Sequence, residues 1–341
     1  MNLEQLIKLR SSFYKTVLLF VTRKCPLKCK HCSVEAGPEY NESIPLFVVD
    51  SWMRGIRETK TVELINISGG EPFTNIDLLK KILSAAENYG MKVVVGTSGF
   101  WASNPVNAKR VIESLPLFTV LQISADEFHE KFVPIERIKH ATIAALEKNI
   151  NIVITFVNNN NISFKDRFYK LMGDNLIREI EFLEINLRAM GRAAKNNLVI
   201  DRHTHDLPEG ACDRLNAPVV KYDGNVMACC HDELIPRSNH FLWLGNLHKV
   251  NFNEIYQKAN HDFLIQALRT IGPKGIIDII TKESWEWKPR TYKENNICDL
   301  CKDIVFSPYL ISMFQEYAKD LVFQHETTIK RFFKYGEAMQ V

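Results

Sequence analysis

The sequence predicts an α/β fold organised around a six-stranded parallel sheet, and three observations carry that expectation. Short apolar, β-branched runs alternate with amphipathic stretches through the first half of the chain. Six such runs follow in βα order, and each step between parallel strands needs a crossover of the length those stretches supply. Beyond about Asp201 the alternation stops. Six units fit either a doubly wound sheet or an incomplete (β/α) barrel, and pattern alone does not choose between them.

In chain order, strands are expected at Val17 to Thr22, Val62 to Ser68, Lys92 to Thr97, Phe118 to Ser124, Asn151 to Val157 and Ile180 to Leu187, each a compact run of β-formers. Helical periodicity fills the gaps at Ile76 to Tyr89, Asn104 to Leu115, Ile135 to Lys148 and Ser163 to Met172. Asn158 to Asn161 reads as a loop. Past Asp201, the turn signal Tyr222-Asp-Gly-Asn225 sits between the apolar pairs Val219, Val220 and Val226, Met227, which predicts a β-hairpin. Glu254 to Leu268 reads as a helix with Asn253 as its N-cap, and Ser307 to Phe333 as an amphipathic C-terminal helix. The expected division is a partial barrel over 1–200, a small cysteine-bearing domain over 201–310 and a helical tail over 311–341.

Composition narrows the class. With 46% hydrophobic and 24% charged residues, the chain reads as a soluble globular protein, not a disordered one. The balance of 43 basic against 40 acidic residues leaves only +3, so charge argues against a nucleic-acid partner. The apolar stretch Val17 to Val21, bounded by Lys15 and Arg23, falls far short of the ~18 residues of a membrane span. No membrane association and a cytoplasmic location are therefore expected. In a reducing compartment, eight cysteines point to metal ligation or catalysis before disulfides.

Cys25, Cys29 and Cys32 follow directly on the first expected strand, at the strand end where parallel α/β folds collect their ligand sites. Three thiolates at spacings of four and three can hold three corners of a cubane iron–sulfur cluster, leaving one iron open. Zinc bound by the three thiolates and His31 is the competing assignment.

A Cys-x3-Cys-x-φ-Cys loop after the first strand, with His31 at the usually aromatic φ position, resembles the signature of the radical S-adenosylmethionine enzymes. The resemblance implies a 4Fe-4S cluster whose open iron chelates S-adenosylmethionine, with His31 beside the cofactor. Gly69-Gly70-Glu71-Pro72 after the second strand is similar to the family's GGEP segment, which contacts the methionine amino group; a strand-to-helix turn with a helix-start proline is the structural alternative. Thr97 and the Ser124-Ala-Asp126 segment stand where family members contact the ribose or carboxylate, though each also fits a capped turn. Arg188-Ala-Met-Gly191-Arg-Ala193 resembles a Gly-Arg-Ala segment of one branch, with Arg188 able to pair with the cofactor carboxylate or to form a surface salt bridge. The resemblance spans roughly residues 14 to 193 and implies an incomplete (β/α)6 barrel.

The later cysteines follow a second pattern. Cys212, eleven residues, Gly224, four residues and Cys229, then Cys298-Asp-Leu-Cys301, resemble the opening of the SPASM extension. No cysteine follows Cys301, so the shorter twitch form is implied, with a second, auxiliary 4Fe-4S cluster held by Cys212, Cys229, Cys298 and Cys301. A four-cysteine structural zinc is the alternative. Cys230 is left over; next to a ligand in an extended hairpin it points to the opposite face. It is either a small buried hydrophobe or a hydrogen-atom donor to a substrate radical. The implied reaction is hydrogen-atom abstraction by a 5′-deoxyadenosyl radical. Three outcomes fit: oxidation or crosslinking with the auxiliary cluster accepting an electron, epimerisation through Cys230, and elimination or rearrangement. A ribosomal peptide is the expected substrate, with a sugar or aminocyclitol as the small-molecule alternative. A reductant such as flavodoxin or ferredoxin is needed, and a leader-peptide-binding protein would have to come as a separate partner. A non-catalytic iron–sulfur electron carrier is the rival from another class.

Overall fold

The computed structural model describes residues 1–158, 162–199, 202–231, 240–281, 289–293, 296–319 and 331. Of the sequence expectations, residues 159–161 of the asparagine loop, Asp201, and the second half of the expected C-terminal helix apart from Arg331 lie outside these.

A helix the sequence pattern did not suggest, α1 (Leu3–Ser11), opens the chain. It is nucleated by a capping box in which the Asn2 side chain accepts from the Gln5 backbone and the Gln5 side chain from that of Asn2. The barrel units follow: β1 (Thr16–Thr22), α2 (Val49–Glu58), β2 (Leu64–Gly69), α3 (Ile76–Asn88), β3 (Lys92–Thr97), α4 (Pro105–Glu113), β4 (Val120–Ser124), α5 (Glu127–Glu130) and α6 (Ile135–Glu147). Next come β5 (Asn151–Asn158), α7 (Ile162–Met172), α8 (Asp174–Ile177), β6 (Glu181–Asn186) and α9 (Arg192–Lys195). The remainder comprises β7 (His203–Thr204), β8 (Val219–Lys221), β9 (Asn225–Met227), β10 (Trp243–Asn246), α10 (Phe252–His261), α11 (Phe263–Thr270), α12 (Gly272–Ile280), β11 (Tyr292–Lys293), α13 (Ile297–Val305) and α14 (Pro308–Tyr317).

Strands β1 to β6 lie side by side in sequence order and all pair in parallel. A doubly wound sheet reverses strand order at a switch point, and no reversal occurs here. The sheet also curls. Leu64, Val94, Val120 and Val153, one inward residue from each of four strands, form a single cluster with Leu6 of α1. Their outward neighbours, such as Ile65, Val95, Ile123 and Ile154, join the core under the helices. A curled sheet with sequential parallel order, its inner face closed below by a helix, is the incomplete (β/α)6 barrel. Above the Leu6 layer Arg10 donates to Asn66 (2.8 Å) and Gln122 (2.7 Å), and Gln122 to Thr155 (2.7 Å). Burial, and Arg214 after it, lower the guanidinium pKa to about 10.

The expected hairpin is present, and it extends this same sheet: β8 pairs in parallel with β1, and β8, β9 and β10 continue antiparallel from that edge. The single helix expected over Glu254 to Leu268 is two, because Asp262 stops α10 and caps α11 through Leu264 N and Ile265 N, both 3.0 Å. Asn251, not Asn253, caps α10; its Oδ1 accepts from Asn253 N. None of the helices over the described residues is long and apolar enough to cross a membrane.

Candidate cofactor and cysteine sites

The cysteine loop leaves β1 and is anchored at its base: Cys25 N donates to Gly37 O (3.0 Å), and Thr22 Oγ1 to Glu42 O (2.6 Å). Farther along, Cys32 N donates to Cys29 O (3.3 Å), closing the turn. Cys29 is buried and the other two are half-buried. Burial pushes the Cys25 thiol up to about 12, and Glu71, Cys32 and Cys29 nearby add to the rise. Such a thiol ionises only with a compensating cation, as metal ligation supplies.

Gly69 and Gly70 serve the loop directly. Gly70 N donates to Thr22 O (2.7 Å) and Glu71 N to Lys24 O (2.8 Å), so the end of β2 lies against the base of the cysteine loop. A Cβ on Gly70 would stand 2.1 Å from the Lys24 carbonyl oxygen. The glycine pair thus permits approach of backbone to backbone. Glu71 is buried and its carboxylate is engaged: it accepts from Ser98 N (2.8 Å), Ser98 Oγ (2.7 Å), Thr97 Oγ1 (2.8 Å) and Phe73 N (3.3 Å). Pro72 starts a short 3-10 turn after it. Thr97 Oγ1 also accepts from Trp101 Nε1 (3.1 Å), so Glu71 and Thr97 bind the ends of β2 and β3 to each other.

Ser124 ends β4 on the inner face, the same side as Gln122. Asp126, two residues on, caps α5 through Phe128 N (2.9 Å) and His129 N (3.0 Å). Its Oδ2 lies 2.8 Å from His129 Nδ1 and 3.6 Å from His31 Nε2. Burial would raise the Asp126 pKa, but His129 and His31 outweigh it and hold the carboxyl below its ordinary value. Asp126 first, and the nearby Cys29 thiol after it, raise the His129 pKa well above the usual histidine range despite its burial. The sequence reading missed His129; its signal was the Asp-x-x-His spacing at a helix start. His31 stacks on Phe128 (centroids 4.6 Å), and burial lowers its pKa to about 4. Its buried Nδ1 has no hydrogen-bond partner among the described residues. A neutral ring with an orphaned nitrogen, beside three clustered thiols, fits a site built around a further group.

The four later cysteines converge although they are far apart in sequence. Cys212, Cys229, Cys298 and Cys301 line one cavity with His231 and Leu242. Cys298 and Cys301 stand one turn apart on α13. Burial pushes the Cys212 thiol to about 12, with Cys298 and Cys230 contributing, and raises Cys229 and Cys301 well above the ordinary thiol value. Among the described residues no three cysteine Sγ atoms lie within 4.8 Å of one another. A tetrahedral zinc site with bonds of about 2.3 Å would need thiolates about 3.8 Å apart. Cys230 departs from its neighbour. Cys229 belongs to the core around the cavity, whereas Cys230 packs against Phe20, Val219 and Met227 on the inner face of the sheet. Arg188, at the exit of β6, lies near Cys298 and moderates the rise of that thiol's pKa, which burial dominates.

Residues 19–167 match the Radical SAM superfamily, and with the partial barrel and its cysteine loop this establishes that the chain carries a radical SAM domain. A domain of this kind implies a 4Fe-4S cluster and S-adenosylmethionine. At the level of individual proteins, the chain is 22% identical over 317 residues to YydG of Bacillus subtilis (strain 168), whose name provisionally assigns it to peptide biosynthesis; the match covers 89% of this chain and 96% of that one. Among solved structures, BtrN in complex with AdoMet and 2-DOIA aligns with TM-score 0.43 and 15% identity over 76% of this chain and 86% of that one. HydG, a maturase of the [FeFe]-hydrogenase, aligns with TM-score 0.40 and 11% identity over 98% and 85%.

Proposed function

We propose that this radical SAM enzyme modifies a ribosomally made peptide by epimerisation, with Cys230 as the hydrogen-atom donor. The observation that carries the reading is the split of adjacent cysteines: Cys229 lines the four-cysteine cavity while Cys230 packs on the inner face of the sheet. When bound, the cluster and S-adenosylmethionine supply a 5′-deoxyadenosyl radical that removes a hydrogen atom from a substrate carbon. Cys25, Cys29 and Cys32 would hold that cluster. Cys230 then delivers hydrogen from the opposite side: its S–H bond breaks, a C–H bond forms, and the thiyl left behind regains one electron and one proton before the next turnover. The electron comes from a reductant such as flavodoxin or ferredoxin. Phe20, Val219 and Met227 restrict water at the thiol, which favours transfer to the substrate over side reactions. The peptide-biosynthesis name of YydG supports the substrate class.

A second reading, net oxidation or crosslinking, is favoured by the cavity of Cys212, Cys229, Cys298 and Cys301, whose four thiols would close an auxiliary 4Fe-4S cluster completely. The test incubates the reconstituted enzyme with candidate peptide substrates and S-adenosylmethionine in deuterated water. The wild type is expected to place one solvent deuterium in the product, and Cys230→Ala to form 5′-deoxyadenosine without epimer. Product from Cys230→Ala at the wild-type rate, or wild-type product free of deuterium, defeats the donor role.

A further inference from the structure

Neither the radical SAM assignment nor the cysteine spacing says what holds the triplet loop in shape from its outer side. The loop's own bonds anchor its two ends, and the end of β2 supports its base. Its middle, from Cys29 to Ser33, meets a different part of the chain. Arg192 Nε donates to Cys29 O at 2.8 Å, and Arg192 N donates to Cys32 O at 3.0 Å. Asn196 Nδ2, one turn along α9, donates to Lys30 O at 2.9 Å. Lys195 pairs with Glu35 at 2.6 Å, farther along the same loop.

Gly191 makes this approach feasible. Its φ is +54°, and a Cβ there would stand 2.5 Å from Cys32 O and 2.6 Å from Ser33 O. The turn is itself braced by Met190 N donating to Arg188 O (2.8 Å) and by the fully buried Ala193. The segment from Gly191 to Asn196 therefore serves two carbonyls that flank ligand side chains, plus one between them. Each carbonyl fixed this way fixes the direction of the neighbouring Cα–Cβ bond, and so where a thiolate can reach.

We infer that the Gly191–Asn196 turn is a latch on the cluster loop, and that Arg192 is a positioning residue for Cys29 and Cys32. This rests on the assignment of the triplet to the open-cornered cluster. The latch joins the exit of the sixth strand to the loop that leaves the first. Arg192 acts in two separable ways. Its Nε–H holds the Cys29 carbonyl, and its guanidinium places a fixed positive charge beside a site that gathers three thiolates.

The experiment uses the full chain, purified and reconstituted anaerobically, as wild type, Arg192→Gln, Arg192→Lys and Asn196→Ala. Two quantities are read on the cluster whose EPR spectrum changes when S-adenosylmethionine is added: its rate of loss to a ferrous chelator and its midpoint potential. Arg192→Gln is expected to lose the cluster about tenfold faster, the scale of one charge-assisted hydrogen bond, and to lower its potential. Arg192→Lys keeps the charge, so the potential stays while loss still accelerates. Asn196→Ala, a milder change at an exposed contact, is expected to speed loss about two- to threefold with the potential unchanged. Wild-type loss rates and potential in Arg192→Gln overturn the latch; if that variant does not fold, a wild-type loss rate in Asn196→Ala overturns it. A wild-type chain with no S-adenosylmethionine-responsive cluster would instead overturn the assignment beneath it.

Discussion

Glu71 carries a charge that its surroundings receive with four hydrogen bonds, yet burial still dominates and pushes its carboxyl above the ordinary value of 4.5. The folded chain thus binds that proton more tightly than the unfolded chain does. The corresponding stability is complete below the unfolded value and is lost as pH rises through the folded one. Glu71→Gln stays neutral, so urea unfolding of the cluster-free protein is expected to show a flatter stability–pH curve above 4.5 than the wild type; an unchanged slope would contradict the burial argument. Glu71→Ala removes the acceptor and leaves Thr97 Oγ1, Ser98 N and Ser98 Oγ without it, which should cost about 2–4 kcal/mol in the same assay. At Gly70 the obstacle is steric. An alanine methyl must displace the Lys24 backbone, and a loss of about 1–3 kcal/mol is expected, together with weaker iron retention at the triplet.

At the level of elements, short segments with little stability of their own bring the cysteines together. The β8–β9 hairpin sends Cys229 to one side of the sheet and Cys230 to the other, and α13 adds Cys298 and Cys301 from one helical turn. Replacing Cys298 and Cys301 together with alanine is expected to reduce reconstituted iron from about eight to about four per chain by ligand count. Zinc in place of the missing four irons in the wild type would refute the auxiliary-cluster assignment. Helix α1 acts at the other end of the barrel, where Leu6 fills the space among Leu64, Val94, Val120 and Val153. Leu6→Ala should cost about 2–5 kcal/mol, read as a lower urea midpoint at unchanged slope. A change below about 0.5 kcal/mol would mean that α1 does not seal the barrel.

At the scale of the molecule, one sheet of nine strands among the described residues links the triplet to the four-cysteine cavity, because β8 hydrogen-bonds along β1, the strand that leads into the triplet loop. Burial raises the thiols of Cys25 in the triplet and of Cys212, Cys229, Cys298 and Cys301 in the cavity, so these sulfurs are protonated and poorly solvated in the metal-free protein. Iron loading is expected to raise the unfolding temperature by several degrees, since a ligand that binds only the folded chain stabilises it by mass action. Equal melting temperatures with and without iron would show that iron does not bind the folded chain in preference to the unfolded one.

Much was legible before any coordinates. The six strands and four of their helices could be read from periodicity, because alternate burial leaves a pattern in each segment independently of the others. The cysteine triplet was legible for the same reason, its members lying within eight residues on one loop. Glu71, Thr97 and Asp126 were found as residues, but not what they touch, since their partners are tertiary: Ser98 from another strand end, His31 from the cysteine loop. Helix α1 was missed because its apolar side is narrow, a single buried leucine. His129 was missed, and Arg192 was read only as part of a Gly-Arg-Ala segment, because their importance lies in what they contact. By itself the sequence determined the order of the elements and the grouping of Cys25, Cys29 and Cys32 on one loop, both of which are local. Only the tertiary structure decided the curl of the sheet and the meeting of Cys212 with Cys301 around one cavity. Those depend on which faces of distant segments can be buried against each other.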